Sequence, residues 1–159
     1  MNPLSVDNFI SQKCAFLSTM VYDPERYKWD MNLDGVSTAP GIYFIVRDSS
    51  NESTKFDILK VGKADGKRGL RGRMQSYTSV SVNRKDWDRT IMYVHDSMRS
   101  LLDDSGKHCE IKLYYFVIPM ETTLFEGYTC ETSVIRSFER NLSIKAGEEG
   151  HSMLLSGQD

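Results

Sequence analysis

Between residues 60 and 73 the chain carries six basic side chains, Lys60, Lys63, Lys67, Arg68, Arg71 and Arg73, against one acid, Asp65. Glycines stand among them at positions 62, 66, 69 and 72. A charge run is usually a solvated face. Here the glycines let backbone come close to an anion, and the cations supply the attraction, so the segment reads as a phosphate-contacting patch. It is not the phosphate loop of nucleotide hydrolases. The first spacing is one residue short, and no Ser or Thr follows Lys67. Asp30-x-Asn32-x-Asp34-Gly35 resembles the start of a calcium loop, but its twelfth position is Gly41 where a bidentate glutamate is needed. An Asx-type turn is the better reading.

The elements that would position this patch follow from hydrophobic pattern. Phe9, Ile10, Cys14, Phe16, Leu17 and Met20 recur at helical spacing, which predicts a first helix over residues 7–20. Pro40-Gly41 opens the apolar run Ile42-Tyr43-Phe44-Ile45-Val46, a buried strand. A polar loop leads to a second strand over 56–61, and the short connection makes the pair an antiparallel hairpin. A helix begins at Leu70. Residues 91–102 read as another helix and 110–118 as a third strand. Thr123 and Glu126 form a candidate capping box for a helix running to Arg140. These elements predict an α+β fold, a small three-stranded antiparallel sheet flanked by helices. A single domain is expected over 1–159, with a helix-and-loop extension at 1–39, the core at 40–141, and a C-terminal tail at 142–159 whose last dozen residues are frayed.

The bulk composition narrows the class without naming it. The 159 residues carry a net charge of −2 with a pI near 5.9, which argues against a generally basic nucleic-acid binder. A local patch can still attract a polyanion. Three well-separated cysteines, Cys14, Cys109 and Cys130, contain no C-x-x-C pair, so neither a disulfide framework nor a zinc site is expected. Reduced thiols fit a cytoplasmic location. No apolar run reaches membrane-spanning length, so no membrane partner is expected.

Taken in order, four segments resemble the GIY-YIG nuclease family. Gly41-Ile42-Tyr43 matches the first motif, and Lys60-Val61-Gly62 stands where Tyr-Ile-Gly is expected. Lysine at that place is similar to some restriction-enzyme members. Leu70-x-x-Arg73-x-x-x-Tyr77 looks like the family's helix motif, and Cys130-Glu131-Thr132-Ser133-Val134-Ile135 resembles the segment bearing its metal-binding glutamate. The resemblance covers roughly residues 40 to 141.

It implies a GIY-YIG-like fold and a DNA endonuclease that uses Mg²⁺, or Mn²⁺, held by Glu131. The catalytic set it implies is Tyr43, Lys60, Arg73, Tyr77 and Glu131. Lys60, in its neutral form, or Tyr43 would take the proton of the attacking water. Arg73 would neutralise the phosphorane, and Tyr77 would orient phosphate or water. Lys63, Lys67, Arg68 and Arg71 would contact the nucleic acid. Specificity would come from loops, from a homodimer or from a partner. Two alternatives stand beside it: a catalytically inactive nucleic-acid-binding module on the same fold, and a protein-interaction module.

Overall fold

A computed structural model describes residues 5–23, 28–48, 56–65, 68–78, 111–117 and 131–156. The elements are α1 (Val6–Lys13), β1 (Ala15–Asp23), β2 (Lys28–Asp30), β3 (Gly41–Asp48), β4 (Phe56–Ala64), α2 (Gly69–Thr78), β5 (Ile111–Val117) and α3 (Glu131–Glu148). The expected helix over 91–102 and the Thr123–Glu126 box fall outside the described residues.

The class is α+β, but the sheet has five strands in the order β2-β1-β5-β3-β4, all neighbours antiparallel, instead of three. The three expected strands are β3, β4 and β5. The added pair comes from the stretch read as helix and extension. Ser5 caps α1 by accepting the Asn8 N–H at 3.1 Å, but the helix stops at Lys13 and Cys14 is already extended (φ −98°, ψ 149°). The segment 15–23 then pairs with β5 on one side and β2 on the other. Phe16 and Met20 satisfy helical spacing and even spacing alike, so their pattern could not separate the two states. Cross-strand pairing decided it. Residues 15–23 and 28–30 are thus strands of the same sheet.

Strand β3 explains the layering. Its residues 41–46 are all buried, and alternate side chains enter two different cores. Tyr43 and Ile45 pack on one face with Met20, Trp29, Leu59, Leu113 and the α2 residues Leu70, Met74 and Tyr77. Ile42, Phe44 and Val46 pack on the other with Val6 and Ile10 of α1 and Ile135, Leu142 and Ala146 of α3. Phe9, Phe116 and Phe138 add a cluster of edge-on rings, Phe9 to Phe138 at 5.7 Å between centroids. Helices cover both faces, which is why β3 reads as an unbroken apolar run.

The described part of the tail, residues 142–156, is not frayed. Helix α3 continues to Glu148, well past the expected end at Arg140. Beyond it, Met153 N–H donates to Ile58 C=O at 3.0 Å and Leu155 N–H to Leu59 C=O at 2.9 Å. This segment covers the open edge of β4 with backbone hydrogen bonds, a usual protection for an edge strand. Leu155 is fully buried, and Ser152 binds Asp57 through both N–H (2.8 Å) and hydroxyl (2.6 Å).

Candidate active site

Three features bring the site residues together. The first is the β3–β4 register, which sets Tyr43 opposite Gly62 and Ile45 opposite Lys60. The second is a bulge. Ile45 pairs with Lys60 and Val46 with Ile58, so Leu59 has no cross-strand partner. A bulge re-aims the side chains beside it; Leu59 joins the core with Tyr43, while Lys60 opens into a cleft. The third is the seat of α2. Gly69 takes φ +56°, and a Cβ there would strike the carbonyls of Thr38 and Ala39. Those carbonyls press close because the 37–39 loop caps the helix, with Leu70 N–H on Ala39 C=O (3.0 Å) and Arg71 N–H on Ser37 C=O (2.9 Å). Leu70, Met74 and Tyr77 then face the core, and Arg73, on the next row, faces the cleft.

The cleft has a volume of about 1010 Å³. Its lining includes Tyr43, Lys60 and Arg73, which lie on three different elements. Lys60 is 7% exposed, and its amine has no hydrogen-bond or ion-pair partner among the described residues. Tyr43 is 1% exposed, and its hydroxyl lies 2.8 Å from that of Tyr77. The two rings meet edge to face, 6.2 Å between centroids. Tyr77 is fully buried and the Arg73 guanidinium carbon stands 5.8 Å from its ring centroid. Tyr77 therefore lies behind Tyr43 and beside Arg73. The Tyr43 ring crosses directly over Gly62, where any Cβ would collide with it. That contact is a physical reason for glycine after Lys60-Val61.

The expected nucleic-acid contacts divide. Lys63 and Arg68 line the cleft, Lys63 holding Asp65 at 2.9 Å. Arg71 instead donates to Leu33 C=O at 2.7 Å and fastens the preceding loop. Lys67 lies outside the described residues. Glu131 is the first residue of α3, and its side chain also lies outside them.

Sequence reasoning missed the wall that α3 provides. Arg136, Glu139, Arg140, Ser143 and Ile144 line the cleft, at the i, i+3, i+4, i+7 and i+8 spacing of one helix face. Glu139 is half-buried there. The polar stripe was visible in sequence, but its meaning depended on α3 extending past Arg140. Ser156 of the C-terminal segment completes the rim. Among the described residues the lining holds six basic side chains (Lys60, Lys63, Arg68, Arg73, Arg136, Arg140) and two acidic ones (Asp65, Glu139).

A second cluster, Asp7, Glu149 and His151, offers three ligand-type atoms within 4.8 Å of one another. Its hydrogen bonding argues for a clasp. His151 Nδ1 accepts the Ile58 N–H at 3.0 Å, which leaves the ring proton on Nε2, 2.7 Å from Asp7 Oδ1. That contact is close but poorly aligned, and neither atom has a better partner among the described residues. A cation on Nε2 would have to displace this proton. Glu149 Oε2 meanwhile accepts the Val6 N–H at 2.8 Å. The cluster ties α1, β4 and the C-terminal segment together. The calcium-like segment also resolves as expected, with Asp34 N–H on Asn32 Oδ1 at 2.9 Å in an Asx turn.

No family model, curated protein or solved structure matches this chain. Among the described residues no helix is long and apolar enough to cross a membrane.

Proposed function

We propose that this chain is a metal-dependent DNA endonuclease whose active site is the cationic cleft. The observation that carries the reading is the meeting of Tyr43, Lys60 and Arg73, from three elements, in one cleft lined by six basic side chains. Those are the positions at which the GIY-YIG resemblance places the general base and the phosphate-binding arginine. The planar, permanently charged guanidinium of Arg73 suits the equatorial oxygens of a phosphorane. The Lys60 amine, which has no hydrogen-bond or ion-pair partner among the described residues, is the first candidate to take the proton of the attacking water. Tyr43 is the second candidate for that step, and Tyr77 fixes its phenol in either case.

A resident Mg²⁺ or Mn²⁺ fits the donor chemistry. Such ions are commonly held by one or two carboxylates together with substrate phosphate and water. Glu139 stands on the cleft wall, and Glu131 heads the same helix. They stand eight positions apart, about 12 Å of helix axis, so a single ion could take only one of them as ligand. When bound, the ion neutralises charge on the phosphate and on the leaving oxygen.

The excess of cations supports a second reading, a module that binds polyanions without cutting them. Supercoiled plasmid incubated with Mg²⁺ or with chelator tests both. Nicking that needs the metal, is lost in Lys60→Met, and is lost in only one of Glu131→Gln and Glu139→Gln supports the nuclease and names its carboxylate. Salt-sensitive binding with no cutting selects the inactive module.

A further inference from the structure

The cleft is wide for a single phosphate, and its cations fall on two separate walls. Lys60 and Arg73 stand on the sheet and α2 side. Arg136 and Arg140 stand on α3, one turn apart, with about 6 Å of helix axis between them. Both are exposed, and at 3.6 residues per turn they lie about 100–140° around α3 from the buried stripe of Ile135, Leu142 and Ala146. The helix is thereby locked by its apolar side while its basic side is held toward the cleft. Neither arginine belongs to the motif segments, and neither is needed to pack the fold.

We infer that Arg136 and Arg140 form a second phosphate-holding wall, so that the cleft grips two neighbouring phosphodiesters of one strand. The reacting one lies at Lys60 and Arg73, and the next lies along α3. This rests on the nuclease reading of the cleft and makes its substrate class a polynucleotide; a lone phosphodiester would fill only half of the site. The α3 contacts are to phosphate alone and carry no base sequence. Their role is to set which bond of the strand sits against Lys60.

The test is the salt dependence of binding, measured by fluorescence anisotropy of a short labelled duplex in chelator between ~50 and ~200 mM salt. Each lost phosphate contact lowers the slope of log K against log salt by about 1, so Arg136→Ala/Arg140→Ala lowers it by about 2. The pair Lys13→Ala/Lys112→Ala removes the same charge from exposed positions outside the cleft lining and leaves the slope near that of the unaltered protein. An unchanged slope in the arginine pair overturns the inference, as does an equal drop in the lysine pair. If the unaltered protein cuts DNA and Arg73→Ala does not, either of those results removes the second wall and leaves the nuclease reading standing. If the unaltered protein shows neither salt-dependent binding nor cutting, both fall together.

Discussion

Replacing Gly62 with alanine drives a methyl group into the Tyr43 ring. The ideal Cβ position lies well inside contact distance of the ring's Cζ and hydroxyl. The ring cannot step aside cheaply, because Tyr43 is 1% exposed and its hydroxyl bonds that of Tyr77 at 2.8 Å. Overpacking of a filled core costs about 1–3 kcal/mol. For a chain of this size that is a fall in Tm of roughly 2–12 °C, at about 2–4 °C per kcal/mol. The assay is a double-mutant cycle by denaturant unfolding, using Gly62→Ala, Tyr43→Leu and the pair. Leucine has no atom where Cζ and the hydroxyl stood, so in that background the alanine methyl has room. The pair should be less destabilised than the sum of the singles by about 1–3 kcal/mol. Additivity within ~0.5 kcal/mol would refute the claim that the Tyr43 ring is what requires glycine at position 62. Cutting should also fall in Gly62→Ala, since the phenol is displaced from the cleft.

Tyr77→Phe removes one buried neutral hydrogen bond; a loss of about 1 kcal/mol in chemical denaturation is expected, together with a lower kcat from a less fixed Tyr43. Asp57 gives a pH signature. Burial opposes its ionisation, but hydrogen bonds from Ser152 and Arg47 and the charge of Arg47 outweigh that and hold its carboxyl below the ordinary value of 3.8. A lowered folded pKa contributes stability that is full above that ordinary value and is lost as pH falls through the lowered one. Hydrogen exchange should therefore show the 151–156 segment opening below about pH 4, and Asp57→Asn should remove the pH dependence of that opening. Burial pushes the Cys14 thiol up to about 12. In a Cys109→Ser/Cys130→Ser background, iodoacetamide should label native Cys14 roughly a thousandfold more slowly than a free thiol at neutral pH.

The legible parts of the fold were those with local signals. Pro40-Gly41 followed by five apolar residues can hardly be other than a strand, and the basic helix after Gly69 follows from its glycine and leucine. The unreadable parts depended on distant partners. Phe16, Leu17 and Met20 fit a helix until β5 and β2 claim the segment for the sheet. The C-terminal residues look polar and loose; Met153 and Leu155 are ordered by carbonyls of Ile58 and Leu59, about a hundred positions earlier in the chain. At the site, Tyr43, Lys60 and Arg73 could be named from order and type. Glu139, Arg136 and Arg140 could not, because a helix face has a direction only once the helix's length and its buried side are known. Arg71 shows the converse: inside a basic run, its guanidinium donates to a backbone carbonyl, which charge pattern alone does not reveal.

The central claim is that Lys60 and Arg73 act on a phosphodiester in this cleft. Single-turnover cleavage of an end-labelled duplex, with Mg²⁺ and with chelator, measures it most directly when Lys60→Met and Arg73→Ala are run beside the unaltered protein. The account expects metal-dependent cutting by the unaltered protein and a fall of at least a hundredfold in each folded variant, on the order of a lost general base or charge-stabilising group. Cutting at the same rate in both variants, or no cutting by any of the three, would contradict it.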